Sequence, residues 1–448
     1  MSRRLHSRTL GLWANGERIG RWTRLANGET ELQYDPVWIA SGTGRPLSLS
    51  LPVPNCNAPL TGPRVTHWFD NLLPDGETLR QRIAERFVTP SADAFDLLSV
   101  VGRDCVGAVQ LLSDDSVPTG VDRVDGTRVD EADIERHLIE IDREPEFGAG
   151  GNPDHFRVAL PGDQSKAAFL WQDGQWHKPR DSTPTTHIFK RPMGFVGRRL
   201  ADFSTSVDNE WLCLKLLDAY GLEVVPADIC TFGEQRVLVM ERSDRMPTRD
   251  GRRVVRRMQE DFCQATGTAP WQKYEKQGGP GLIELFRLTR QSVDRDHDLR
   301  ALMASQILFW MLRVPNGHAK HFGLQLMSGA SARFRLTPFQ DVVSALPAIG
   351  TGAGEWAWQD VKLAMALTGK HPHFSMHGIQ RRHFNTTARK VGYGANAEPL
   401  LRELIEKTPA AVARVQAKLP PGFSQRVADR IFNGLLDSAR ALEAMPAD

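Results

Sequence analysis

Asn316-Gly317-His318-Ala319-Lys320-His321, taken with Thr337-Pro338-Phe339-Gln340-Asp341, is the stretch that decides how this chain is laid out. An amide, two imidazoles, an ammonium and a carboxylate are gathered behind an apolar segment, residues 296–313. That segment has helical spacing, and it stops before Pro315 because proline lacks an N–H and crowds the preceding turn. Beyond this loop, residues 409–419 and 426–442 read as amphipathic helices. Ahead of about Gln259 the pattern is β-rich instead. Chemistry is therefore expected where a β-rich half meets a helical half.

In the β-rich half, Asn15-Gly16 and Asn27-Gly28 are hairpin turn signals, since both turn positions need positive φ; they separate short runs at 10–13, 18–22 and 31–34. Asp75 is placed to cap a helix running to about Phe87, and a second helix is expected over 93–101, then a strand over 106–112. The polar stretch 113–130, with Pro118, Gly120 and Gly126, reads as a linker, and 147–153 is glycine-rich. Strands are expected at 156–160, 167–171, 187–190, 227–232 and 236–241. Residues 207–220 form a helix closed by Gly221. The organisation expected is α+β in three parts: a β-rich N-terminal subdomain (1–140), a β domain (141–255) and an all-α lobe (256–448).

A chain of 448 residues with 41% hydrophobic and 25% charged residues can bury several cores. Its formal net charge of +2 makes no case for nucleic acid by itself, so any such contact has to come from a local patch. Cys56, Cys105, Cys213, Cys230 and Cys263 form no C-x-x-C pair, which excludes a zinc knuckle and fits reduced thiols in a cytoplasmic protein. Arg3, Arg4 and Arg8 are not followed by the apolar core of a signal peptide, and the longest apolar segment, 301–312, is too short to span a bilayer; no membrane partner is expected.

Each requirement of phosphoryl transfer has a candidate among these residues. That reaction needs a backbone cradle for phosphates, a cation on them, a Mg²⁺ ligand set and a group that orients the attacking hydroxyl. Pro161-Gly162-Asp163-Gln164-Ser165-Lys166, between two expected strands, is the cradle candidate, because glycine lets backbone amides approach phosphate; taken alone it reads equally as an ordinary hairpin loop. Lys190 ends a strand and is the cation candidate. In kinases a catalytic aspartate precedes a metal-binding asparagine by five residues. Asn316 and His321 keep that spacing and change both identities, and Asp341 supplies a further acidic ligand. An amide cannot take a proton from a hydroxyl, a loss of about two to four orders of magnitude in rate. An imidazole offers nitrogen where Mg²⁺ prefers oxygen. A metal hydrolase built on His318, His321 and Asp341 is the blander alternative, and no H-E-x-x-H pattern supports it.

These segments, with Arg45-Pro46-Leu47-Ser48-Leu49-Ser50, Phe69-Asp70-Asn71-Leu72-Leu73-Pro74-Asp75, Thr183-Pro184-Thr185-Thr186-His187-Ile188, Ser206-Val207-Asp208-Asn209-Glu210 and Gln259-Glu260-Asp261, resemble the HipA family of bacterial serine/threonine kinase toxins. The resemblance runs through nearly the whole chain. It implies a two-lobed protein-kinase-like fold with an extra N-terminal subdomain, and ATP and Mg²⁺ as cofactors. It implies a phosphate loop through Gly162, Gln164 and Lys166, and nucleotide contacts from Lys190, His318, Lys320, His321 and Asp341. It further implies a hinge at Glu241, Arg242 and Ser243, and metal ligation by His321 and Asp341. The family has aspartate at the position of Asn316, asparagine at His321, and an autophosphorylated serine at Ala159. It also implies partners: a HipB-like helix-turn-helix antitoxin, operator DNA reached through that complex, and a protein target in translation of the aminoacyl-tRNA synthetase class. The basic cluster Arg381, Arg382, His383, Arg389 and Lys390 is the candidate for DNA phosphate contacts, with Arg382 and Arg389 on one helix face. The two readings are a toxin kinase impaired at its base, and an ATP-binding pseudokinase acting through antitoxin and operator.

Overall fold

The computed structural model describes residues 7–141, 158–197, 200–329 and 332–447. The glycine-rich stretch 147–153 and the start of the strand expected at 156–160 lie outside them. Of that strand, Val158 forms only an isolated bridge to Asp104.

Three layers build the molecule. In the first, strands Arg8–Ala14, Glu17–Arg24, Thr30–Tyr34, Leu60–Thr61 and Gln110–Ser113 form a five-stranded antiparallel sheet. The reversal at Asn15-Gly16 has φ of 50° and 89°, as two positive-φ turn positions require. At Asn27-Gly28 only the glycine is positive; the Asn27 side chain instead accepts from Glu29 N at 3.0 Å. Trp22 stacks on Phe69 of helix Pro63–Asp70 at 3.9 Å, covering the inner face of the sheet. The strand expected at 106–112 is confined to its C-terminal end. Gly107 (φ 79°) turns the backbone so that its N–H reaches Asp244 Oδ2 at 2.7 Å.

The second layer is a six-stranded sheet in the order Ala227–Phe232, Gln235–Glu241, His187–Lys190, Lys166–Gln172, Gln175–Pro179, Gly126–Arg128. Gly126–Arg128 falls inside the stretch read as a linker, and helix Glu131–Glu140 follows it, packing Ile134 and Leu138 against Phe169, Phe189 and Val237. A three-residue strand at a sheet edge leaves no periodic signal in the sequence. Helix Ser206–Tyr220 backs the sheet from the cleft side and ends at Gly221, φ 96°.

The third layer is mainly helical: Leu282–Thr289, Arg295–Met311, Arg381–Lys390, Glu398–Gln416 and Gln425–Ala444. Pro409 does not begin a helix; it sits inside Glu398–Gln416, where the helix continues on the buried face of Leu401, Leu404 and Val412. This part also carries strands. Gln259–Asp261, Gly323–Leu326 and Phe334–Leu336 make a small sheet next to the polar loop, and Lys362–Thr368 pairs with Pro372–Ser375. No helix among the described residues is long and apolar enough to cross a membrane, and all five cysteines are free.

A buried ion cluster clamps the layers. Asp104, from the first, receives Arg245 Nη2 at 2.8 Å and Arg242 Nη1 and Arg256 Nη2 at 3.3 Å, while Asp244 takes Arg242 Nη2 at 2.9 Å. Burial alone would push Asp104 toward its neutral acid, but the three guanidinia outweigh it and hold its pKa well below the usual carboxylate range.

Candidate active site

Lys190 ends its strand facing the cleft with almost no exposure, and a lysine so placed must be paired. Its Nζ donates to Glu210 Oε1 at 2.6 Å and to Asp341 Oδ1. Burial would lower the Lys190 pKa, but the two carboxylates reverse the sign and hold it above the ordinary value. Asp341 is likewise held well below the carboxylate range: Lys190, Lys166 and His321 outweigh its burial. Its backbone is left-handed (φ 61°), a conformation aspartate tolerates better than most residues, and this turns the carboxylate back toward Lys190.

Asn316 lies behind Asp341, its Nδ2 donating to the Asp341 carbonyl at 3.1 Å, while its Oδ1 is buried without a partner. The loop closes on itself through His318 N to Asn316 O (2.7 Å) and His321 N to His318 O (2.9 Å). The His318 and His321 rings meet edge to face at 4.2 Å, Tyr274 covers His318 at 4.7 Å, and Nδ1 of each histidine is a buried atom without a partner. Burial, reinforced by nearby cations, keeps His318 well below the ordinary imidazole value; burial outweighs the Asp341 charge and lowers His321 to about 4.

The loop at 161–166 forms the opposite wall. Gly162 has φ 108°, a backbone conformation that residues with a Cβ rarely adopt, so the position favours glycine. Lys166 donates to Pro161 O at 2.6 Å. The first layer pins this loop: Asp75 N donates to Gly162 O at 3.1 Å, and Lys273 Nζ bridges Asp163 (2.6 Å) and Asp75 (2.8 Å). Asp75 is thus not a helix cap. Gly76 caps helix Glu77–Phe87, and the Asp75 carboxylate is spent on Lys273.

One cavity of about 360 Å³ is lined by Pro161, Gly162, Asp163, Gln164, Lys166, Lys190, Asn316, His318, Lys320, His321 and Asp341, a size typical of small-molecule sites. Lys320 reaches past it to Asp261 (3.1 Å) and Asn71 Oδ1 (2.7 Å). Four anticipated residues do not line it. Ser165 faces a separate small cavity behind the loop. Arg242 is buried in the ion cluster, and the Glu241 and Arg242 amides are already bonded to Pro226 O and Thr186 O, both at 2.9 Å. Ser243 Oγ contacts Gln259 Oε1 at 3.4 Å. Reading the sequence missed Glu210, Asp75, Lys273 and Tyr274 as wall residues. A carboxylate near the start of the helix that follows the Lys190 strand was the available signal for Glu210; for the others the pairings exist only in three dimensions.

Residues 158–414 match the HipA-like C-terminal domain and residues 10–112 the HipA N-terminal domain. The chain belongs to the HipA family. It is 30% identical over 418 residues to the "Putative kinase Y4mE" of Sinorhizobium fredii, covering 91% of this chain and 92% of that protein. It is 25% identical over 411 residues to the serine/threonine-protein kinase toxin HipA of Shewanella oneidensis, covering 87% and 85%. Its fold matches the HipA chain in the Shewanella oneidensis complex of HipA, HipB and operator DNA, with TM-score 0.77, 21% identity and 96% of both chains covered.

Within this HipA-family frame, the residues fit a nucleotide with a divalent ion in part. Asp341 is an oxygen donor suited to a hard cation, whereas His321 supplies a neutral nitrogen. No group of three or more His, Cys, Asp or Glu among the described residues could hold a metal alone, so an ion here would share its shell with phosphate oxygens and water. On helix Arg381–Lys390 the basic cluster divides. Arg381 is buried on Glu398 (Nη2–Oε2 2.5 Å) and His383 is stacked on His373 at 3.8 Å, so both serve packing; Arg382, Arg389 and Lys390 are exposed.

Proposed function

We propose that this HipA-family chain is an ATP-dependent serine/threonine protein kinase of toxin type, slowed by its own catalytic loop. The observation that carries the reading is the hydrogen-bonded Lys190–Glu210–Asp341 triad, its lysine and glutamate buried, facing the Gly162 loop across one cavity. ATP would supply the phosphoryl group, and its divalent ion would neutralise charge developing on it. The chain's own residues do the rest. Lys190, fixed by Glu210, presents a permanent cation to the phosphates. Lys166 and the 161–164 backbone hold the far side. Asn316 orients a hydroxyl through its unpartnered Oδ1 but cannot retain the proton, so turnover is slow.

The same Asn316 and His321 favour a second reading, a pseudokinase that binds nucleotide and acts through a HipB-like antitoxin and operator DNA. The Shewanella complex contains both of those partners, and Arg382, Arg389 and Lys390 are exposed for phosphate contact. A translation protein of the aminoacyl-tRNA synthetase class is the proposed target of the kinase reading. Calorimetric titration with Mg-ATP tests the shared core: the chain binds, and Lys190→Met and Asp341→Asn each weaken binding at least tenfold. Absence of binding in the unmodified chain would remove both readings. Phosphate transfer to protein that depends on Lys190 separates the first from the second.

A further inference from the structure

The ion cluster around Asp104 does more than join layers, because two of its arginines belong to one hairpin. Arg245–Pro247 pairs with Val254–Arg256, Arg245 against Arg256, and both guanidinia are buried on Asp104. Arg257 N bonds Asp244 O at 2.8 Å, and Asn15 exchanges hydrogen bonds with the Arg256 backbone, both at 2.9 Å. The base of the ribbon is thus rigidly held. Its tip is the reverse: Thr248-Arg249-Asp250-Gly251-Arg252-Arg253 projects outward with Arg249, Arg252 and Arg253 exposed. None of the three has a salt bridge to a carboxylate among the described residues. Asp250, the local acid, accepts from Thr248 Oγ1 (2.5 Å) and Arg252 N (3.1 Å), which shapes the turn. Arg257 lies along the ribbon against Met246 Sδ.

We propose that this ribbon docks on the phosphate backbone of duplex DNA. Three arginines share this short turn with one acid, Asp250, which acts on Arg253 and leaves an excess of positive charge that an anion of matching spacing would offset. All are arginines, whose planar forks bind phosphate oxygens in pairs. The tip carries no apolar side chain that a protein interface would bury at its core, whereas nucleic-acid interfaces are polar and strongly positive. A two-stranded ribbon also has the width that grooves admit. The ribbon and helix Arg381–Lys390 are different elements of the fold.

The test uses the full chain with two fluorescein-labelled probes of arbitrary sequence, a duplex DNA of about 20 base pairs and a single-stranded RNA of about 20 nucleotides, read by anisotropy between about 50 and 200 mM KCl. The Arg249→Gln/Arg252→Gln/Arg253→Gln variant, which alters only exposed side chains, keeps its melting temperature and its Mg-ATP titration. Its affinity falls at least tenfold, and the slope of log K against log salt drops by about 3 on duplex and about 2 on single strand. A loss on the RNA probe with duplex binding unchanged would overturn the proposal. The proposal is overturned if the triple variant binds both probes like the unmodified chain. Loss confined to an Arg382→Gln/Arg389→Gln/Lys390→Gln variant would also overturn it. So would competition by polyglutamate as effective as that by DNA, which would identify an acidic protein surface as the occupant.

Discussion

At the residue scale, the chemistry turns on Asn316. Its amide reaches the Asp341 carbonyl at 3.1 Å, a bond that a carboxylate cannot make. Asn316→Asp therefore exchanges about 1 kcal/mol of stability for a group able to accept the substrate proton. Phosphate transfer by this variant should rise by about two to four orders of magnitude, with Mg-ATP affinity little changed, as measured by radiolabel incorporation beside calorimetry. Equal rates in both chains would show that position 316 does not limit turnover. Positions 316, 321 and 341 were singled out by kinase-like spacing together with the resemblance to the HipA family. The role of Glu210 was not: its weight comes from a 2.6 Å contact with Lys190 across two elements.

At the scale of elements, short segments carry buried polar groups whose cost their neighbours set. Glu260, on strand Gln259–Asp261, is buried and accepts from Leu49 N (2.9 Å) and Trp68 Nε1 (3.2 Å). Burial outweighs those bonds and raises its pKa to about 7. The folded chain thus holds this proton more tightly than the unfolded chain. The associated stability is complete below about pH 4.5 and is lost as pH rises through about 7. Between pH 5 and 8 the unmodified chain should lose about 2 kcal/mol more than Glu260→Gln in urea unfolding; parallel pH profiles would refute this. Helix Arg381–Lys390 makes the second element-scale prediction. If Arg389 meets an operator phosphate in an antitoxin complex, Arg389→Ala should lower the salt-dependence slope of that complex on DNA by about one. An unchanged slope would leave the helix a solvated face.

At the scale of the whole molecule, one buried carboxylate ties the first layer to the end of the second and to the hairpin of Arg245 and Arg256. Asp104→Ala would leave three guanidinia, each nearly without exposure, facing a single remaining acid, Asp244. Removing one partner of a buried pair costs about 3–5 kcal/mol, because the other charge stays desolvated. Urea unfolding should show a loss of that order, and a loss below about 1 kcal/mol would mean that the cluster does not clamp the layers. The same architecture links the N-terminal layer to the cleft, through Asp75 and Lys273 on the 161–166 loop.

Periodicity, turn residues and proline positions determined the α+β division, most strands and helices, and the place of the polar loop, because these are local properties carried by neighbours in the chain. The cleft residues Lys190, Asn316, His321 and Asp341 were reached through the resemblance of their short segments to the HipA family, and they line one cavity. Only the tertiary structure decided the rest. It withdrew Asp75 from a helix cap and gave it to Lys273. It buried Arg242 on Asp104 when a hinge had been expected, and it left Arg249, Arg252 and Arg253 without a salt-bridged acid. Charge pairing acts over a few ångströms between residues tens to hundreds of positions apart, and it is settled by which surfaces the folded layers press together.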